Sequence, residues 1–302
     1  MKNGKFAQRT RDSVVKSIAI VGGSGQIGRA LTDEFTLRTE WEVTSLARDP
    51  SRLRSAIGPG VAAGSIDTIS SRPDDVFVNC VGAGDPARIR ELGKSIIPMT
   101  EQYDRAIFNV VAARRTPLYV FLSSGTIHSR PDEGGGDWYT TSKKEAEERH
   151  RSHPDLNIVD LRLFGFVSAN IDLAGRFFLA ELFSATREGR EFLVGSGEMH
   201  RDFVHPEDLS NLIELCGRNL PLNRGIDVYS REPVSRETVL RRFAKEFGLK
   251  YRAVDDGTLG NPANKKTARY YSSDRWAAGI GYAPKYSAEE AVMEAWRRLA
   301  SK

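Results

Sequence analysis

The chain has 302 residues, 40% of them hydrophobic, and 44 Lys and Arg against 40 Asp and Glu give a formal net charge of +4. That length can bury a substantial core, as one large domain or as two lobes. Two cysteines exclude a disulfide scaffold, and no apolar span or signal-peptide core points to a membrane partner, so the expected location is cytoplasmic.

Five positive charges (Lys2, Lys5, Arg9, Arg11 and Lys16) stand in the first 16 residues against Asp12 alone, with no apolar periodicity. Residues 1–16 therefore read as a disordered basic extension. Elsewhere no basic stripe interleaves with aromatics, so nucleic acid is not an expected partner. A modest positive balance also suits phosphate-rich ligands.

Residues 17–21 form a short β-branched run that reads as a buried strand. Gly22-Gly23-Ser24-Gly25-Gln26-Ile27-Gly28 follows, and Ile27, Leu31, Phe35 and Leu37 then mark a helix over 27–38. Strand, glycine turn and helix suit a dinucleotide. Gly22 permits the turn, Gly25 lets a pyrophosphate approach the backbone, and Gly28 lets the helix pack on the strand. The alternative is an ordinary strand-to-helix turn. A second strand, 41–46, ends Ala47-Arg48-Asp49. An NAD site usually has a carboxylate here for the ribose 2′-hydroxyl, and an NADP site a cation for the 2′-phosphate. Arg48 therefore favours NADP(H), with NAD(H) still admitted. The alternative is a solvated arginine beside Asp49 and Arg52.

A strand over 117–122 ends at Ser123-Ser124-Gly125-Thr126, and ligands in open α/β sheets bind at the carboxyl ends of strands. A helix over 138–151 then carries Tyr139 and Lys143 four apart on one face. The nearby ammonium is expected to lower the phenol's pKa toward the working range of an acid/base group. Cys80 on a core strand and Cys216 on a helix read as small buried hydrophobes, and no His, Cys or carboxylate cluster has metal-ligand spacing. His205 and His128 read as structural or substrate-side.

In this order the motifs resemble the extended short-chain dehydrogenase/reductases, in the branch of the nucleotide-sugar epimerases, dehydratases and ketoreductases. The resemblance runs through nearly the whole chain. Val78-Asn79-Cys80-Val81-Gly82 is similar to the strand end that flanks the nicotinamide ribose. Gly64-Ser65-Ile66-Asp67 resembles the adenine-contacting turn, with Ser65 where aspartate is usual. Residues 121–128 resemble the serine segment, with Ser124 in the catalytic place and His128 replacing a tyrosine. Leu161-Arg162-Leu163-Phe164-Gly165 resembles the stretch beside the nicotinamide, with Gly165 where asparagine often holds substrate. Arg201-Asp202-Phe203-Val204-His205 resembles the segment whose arginine pairs with the sugar-nucleotide pyrophosphate. Asp274-Arg275, Ile280-Gly281-Tyr282 and Pro284 resemble its terminal motifs.

The resemblance implies a Rossmann-type α/β fold, a doubly wound parallel sheet with a smaller C-terminal substrate-binding lobe. The nucleotide-binding domain would span 17–165 and the lobe 166–302, with segments returning to the first domain. Ser124, Tyr139 and Lys143 would be catalytic. Gly22, Gly25, Gln26, Ile27, Gly28, Arg48, Ser65, Ile66, Cys80, Val81, Gly82, Tyr139, Lys143 and Phe164 would hold the cofactor. Ser124, Gly125, Thr126 and Arg201 would face a nucleotide-diphosphate sugar. The alternative for Arg201 is an ion pair with Asp202 or Glu207. A homodimer is admitted.

Two departures from the family bear on the reaction. The loop 129–137 is compact and glycine-rich, which suggests a mobile rim and an altered sugar pocket. Ser124-Gly125-Thr126 lacks the Thr-Asp-Glu of the 4,6-dehydratases, and neither cysteine adjoins the serine as in the GDP-fucose epimerase–reductase. NADPH-dependent reduction of a 4-keto-6-deoxy sugar is the first expectation and 4-epimerisation with NAD the second. A non-catalytic NADP(H) sensor is the rival from another class.

Overall fold

A computed structural model describes residues 16–58, 60–114, 118–128, 137–255 and 268–302. Fifteen residues of the expected basic extension and the glycine-rich part of the 129–137 loop lie outside them, as does Pro117. The first half runs β1 (Lys16–Val21), α1 (Gln26–Thr36), β2 (Trp41–Ala47), α2 (Pro50–Arg54), β3 (Ala62–Ser65), β4 (Val76–Asn79), α3 (Pro86–Leu92), α4 (Ile96–Arg114), β5 (Leu118–Ser124), α5 (Trp138–Arg151) and β6 (Ile158–Leu163). It continues with α6 (Phe178–Glu188), β7 (Phe192–Gly195), β8 (His200–Arg201), α7 (Pro206–Arg218), β9 (Asn223–Val228), β10 (Val234–Ser235), α8 (Arg236–Phe247), β11 (Tyr251–Val254), β12 (Arg269–Tyr270) and α9 (Ala288–Ala300).

Seven strands pair in the order β3-β2-β1-β4-β5-β6-β9, all parallel. This is the Rossmann-type α/β fold. Successive side chains alternate faces. Ile18, Ile20, Val76, Val78, Leu118, Val120 and Leu122 face α1 and α7 in one cluster. Ala19, Val21, Phe77, Tyr119 and Phe121 face α4 and α5 in another. With both faces covered, the strands read as continuous apolar runs. A third cluster draws on α6, α8 and α9, where the rings of Phe183, Phe243 and Trp296 pack with centroids 5.3–5.9 Å apart.

Lys16 corrects the expected boundary of the extension. It begins β1 in register with Trp41, and its backbone N–H donates to Glu40 O at 2.9 Å. Its side chain is exposed with the ammonium 5.4 Å from the Trp41 ring, so its charge disguised a paired backbone. The strand order reverses between β1 and β4, which opens a crevice at their carboxyl ends. Both the glycine loop after β1 and the Cys80-Val81-Gly82 turn after β4 lie there.

Candidate active site

Gly22 adopts φ +87°, and a Cβ there would lie 3.0 Å from Cys80 C and Val81 N. A side chain at Gly28 would lie 2.4 Å from Gly22 O, so α1 can start this close to β1 only at glycine. Gly25 is the N-cap of α1, with no side-chain cap and no acid in the first turn. Its own Cβ would meet only Gly22 O, at 3.4 Å. The α1 amides, including those of Gln26 and Ile27, therefore present an open, electropositive end suited to a pyrophosphate. This cradle fits a dinucleotide. Gly23 was not singled out from the sequence, yet its Cβ would lie 1.8 Å from Ser45 Oγ.

At the far end, β2 and β3 pair Ala47 with Ser65, which brings Arg48 and Ile66 to neighbouring strand ends. Arg48 is exposed. The Asp49 carboxylate beside it caps α2, accepting from Ser51 N at 3.0 Å and Arg52 N at 3.1 Å. The Ser65 hydroxyl serves its own turn, donating to Asp67 Oδ2 at 3.0 Å, and Ile66 is buried beneath it.

Ser124 ends β5, and Tyr139 and Lys143 stand on the first turns of α5, which Asp137 caps by accepting from Thr140 N at 3.1 Å. Ser124 lies beside the Tyr139 phenol. Thr126 N and Oγ1 donate to Ser124 Oγ at 3.2 and 3.1 Å. Lys143 is buried, and its ammonium donates to Leu122 O at 2.8 Å. Burial pushes it down to about 8, against the opposing pull of Asp104, Asp160, Glu147 and Cys80. Burial likewise drives the Cys80 thiol up to about 12, so it is no thiolate nucleophile.

The expectation that Lys143 lowers the Tyr139 pKa is corrected. Burial raises that pKa, Ser124 opposes the rise and Asp137 adds to it. The ammonium is bonded to Leu122 O and lies 5.8 Å from the Tyr139 ring centroid. Four-residue spacing put both groups on one face of α5 without aiming one at the other.

An aromatic wall borders the serine. The Phe164 ring packs where a Gly125 Cβ would sit, 2.5 Å from that position, so Gly125 serves the close approach of this ring. His128 stacks on Phe164 at 6.0 Å, and its Nε2 is 2.9 Å from Asp227 Oδ1. Tyr270 meets Phe164 at 5.2 Å. Gly165 has no room for the asparagine common in the family, since its Cβ would be 2.2 Å from Asp202 O.

Arg201 pairs with Tyr270 across β8 and β12, its guanidinium 5.9 Å from the Tyr270 ring. Burial lowers its pKa, Tyr270 opposes this and nearby Arg236 reinforces it. Asp202 instead accepts from Ser230 N at 3.2 Å. Glu207 accepts from Lys285 Nζ at 3.3 Å and Tyr286 OH at 3.0 Å. Both acids of the alternative reading are thus engaged elsewhere.

Sequence reasoning also missed the groups behind the site. Ser123 Oγ donates to Glu147 at 2.6 Å, and Arg162 pairs with Glu147 at 2.6 Å and Asp227 at 3.5 Å. Asn79 Oδ1 accepts from Val81 N at 3.0 Å, which shapes the turn after β4. Glu147 lies four residues after Lys143 on the same buried face, a spacing that could have drawn attention to it.

The NAD dependent epimerase/dehydratase family model matches residues 18–224. No curated protein matches the chain. Among solved structures, UDP-glucose-4-epimerase from Stenotrophomonas maltophila, bound to NAD and formylated UDP-arabinopyranose, is similar with a TM-score of 0.78 at 15% identity, covering 95% of this chain and 98% of that one. ADP-L-glycero-D-manno-heptose-6-epimerase from Helicobacter pylori gives 0.77 at 15%, covering 98% and 100%. UDP-N-acetylglucosamine 4-epimerase from Methanobrevibacter ruminantium gives 0.75 at 16%, covering 95% and 98%. At such identities these likenesses speak to the fold, while the family match spans well over half of the chain. The chain belongs to the NAD dependent epimerase/dehydratase family and is an enzyme of the extended short-chain dehydrogenase/reductase type.

Proposed function

We propose that this enzyme reduces the ketone of a nucleotide-diphosphate sugar with NADPH, a 4-keto-6-deoxy sugar being the first choice. The observation that carries the reading is the meeting of Ser124, Tyr139 and buried Lys143 at the strand ends beside the glycine cradle. Gly22, Gly25, Gln26, Ile27 and Gly28 would hold the pyrophosphate, Arg48 the 2′-phosphate, and Ser65 and Ile66 the adenine end. Cys80, Val81, Gly82 and Phe164 would flank the nicotinamide, with Lys143 on its ribose. The bound nicotinamide would supply the hydride. Tyr139 gives its proton to the ketone oxygen while Ser124 donates a hydrogen bond to that oxygen. Gly125 and Thr126 shape this end of the substrate site, and Arg201 takes the diphosphate. A sensor would need only the cradle.

Reductase is preferred over epimerase because Asp49, though exposed, is engaged in its helix cap, while Arg48 stands exposed beside it at the β2 end. Arg48→Ala should weaken NADPH binding about ten- to a hundred-fold and leave NADH binding unchanged. Equal loss for both in fluorescence titration would make Arg48 structural, and no loss would make it a bystander. The second reading, 4-epimerisation with retained NAD, is favoured by relatives that are epimerases, three of them solved with NAD. The test is NADPH oxidation at 340 nm with keto-sugar nucleotides, set against product analysis of UDP-hexoses without added cofactor.

Arg201→Ala should raise KM for the sugar nucleotide by about ten-fold or more, with cofactor affinity and melting temperature unchanged. Joint loss of stability and cofactor affinity would show that Arg201 holds its loop instead.

A further inference from the structure

The turn after β4 packs against both halves of the site. A Cβ at Gly22 would lie 3.0 Å from Val81 N, and one at Gly82 would lie 3.7 Å from Lys143 Nζ. We propose that Tyr119 is a positioning residue for this turn: Asp104 takes the phenol's proton, the phenol oxygen accepts from Asn79, and the Asn79 carbonyl, aimed in this way, holds the Val81 amide.

The sheet brings the first two members together. Phe77 on β4 pairs with Tyr119 on β5, and Asn79 with Phe121. Side chains alternate along each strand, so Asn79 and Tyr119 share the face covered by α4 and α5. Asn79 Nδ2 donates to Tyr119 OH at 3.0 Å, and Tyr119 OH donates to Asp104 Oδ1, on α4, at 2.7 Å. Val81 N donates to Asn79 Oδ1 at 3.0 Å. Asn79, Tyr119 and Asp104 are all buried. The sheet ladder itself ends one residue earlier, where Cys80 N donates to Val21 O at 2.8 Å.

The direction of the line follows from Asp104. An ionised carboxylate only accepts. Asp104 also takes His150 Nε2 at 2.8 Å and Arg149 Nε at 2.9 Å. Burial raises its pKa, but His150, Tyr119 and Arg149 outweigh that and hold the carboxyl below its ordinary value. The phenol therefore gives its proton to Asp104, and burial, followed by the Asp104 charge, keeps it protonated. Its oxygen can then only accept, which selects the NH2 side of the Asn79 amide. A reversed amide would aim Oδ1 at an oxygen with no proton left to offer and Nδ2 at the Val81 N–H, so buried groups would face their like.

The inference rests on the reading of this turn as cofactor-facing. A failure of that reading shows separately, as an unaltered protein that binds no NADPH. Cys80-Val81 is the single Cys-Val step in the chain. Labelling with ¹³C-carbonyl cysteine and ¹⁵N valine therefore leaves one carbonyl–amide correlation in the NMR spectrum of the full-length protein, that of the Val81 amide, and it is read without ligand. Tyr119→Phe keeps the ring and removes the oxygen. It should move the Val81 amide proton upfield, speed its exchange with solvent and weaken NADPH binding about three- to ten-fold. In an Asn79→Ala background the same substitution should change neither the Val81 signal nor the affinity. It should still lower the urea midpoint there, because Asp104 loses a donor in either background. An unmoved Val81 signal or an unchanged affinity in the single variant would overturn the proposal, as would an equal further loss of affinity without Asn79. Should Tyr119→Phe fail to fold, Asn79→Ala alone must move the Val81 signal and weaken NADPH binding, and an unmoved signal or an unchanged affinity refutes the proposal.

Discussion

Tyr139→Phe is expected to lower turnover by roughly 10²–10⁴-fold while cofactor binding stays nearly intact. The substitution keeps the ring on the first turn of α5 and removes only the exchangeable proton. Ser124 retains both Thr126 donors, at 3.2 and 3.1 Å. Lys143 retains its bond to Leu122 O at 2.8 Å. The shape of the pocket and the cofactor side of the site are therefore preserved. Steady-state rates beside a fluorescence titration with NADPH decide the matter. Activity within a few-fold of the unaltered enzyme would remove Tyr139 from the chemistry.

The second large effect is on stability. His150 is fully buried two helical turns beyond Lys143, with Nδ1 2.6 Å from Asp160 and Nε2 2.8 Å from Asp104. Arg149 and Arg151 pair with the same two acids from above, and Tyr119 OH donates to Asp104 at 2.7 Å. Burial lowers the imidazole's pKa, but the two carboxylates outweigh it and raise it to about 9. A raised folded pKa gives stability that is fully present below the unfolded value and lost as pH rises through the folded one. The loss falls between pH 6.5 and about 9, and the shift corresponds to about 3 kcal/mol. His150→Ala should cost about 3–5 kcal/mol at neutral pH, because it leaves two carboxylates in the core without their imidazolium. Urea unfolding at pH 6, 7.5 and 9 measures both. The unaltered protein should weaken across that series, and the variant should start low and weaken less. A flat profile for the unaltered protein would mean that His150 is neutral.

Local pattern accounts for what the sequence disclosed. The strands of the central sheet lie under helices on both faces, so β1, β2 and β5 were legible as apolar runs. The glycine loop was legible because Gly22 and Gly28 leave no room for a Cβ. Tyr270 was not legible, because it sits on a two-residue strand and only pairing with Arg201 brings it against Phe164. Asp104, His150 and Asp160 look like surface residues in an amphipathic pattern, and only the packing of α4 and α5 on β5 and β6 buries them together. The Tyr139–Lys143 spacing gave a shared helix face. It could not tell that the ammonium turns to Leu122 O, which depends on the depth at which α5 lies against the sheet.

The most direct measurement follows the hydride itself. The enzyme is given NADPH deuterated at nicotinamide C4, in separate preparations for each face, with a nucleotide-diphosphate 4-keto-6-deoxy sugar. The product is then read by NMR. One preparation should deliver deuterium to sugar carbon 4 with stoichiometric loss of NADPH. Cofactor binding without turnover of any nucleotide-diphosphate sugar would contradict the assignment, and so would product formed with no label at carbon 4.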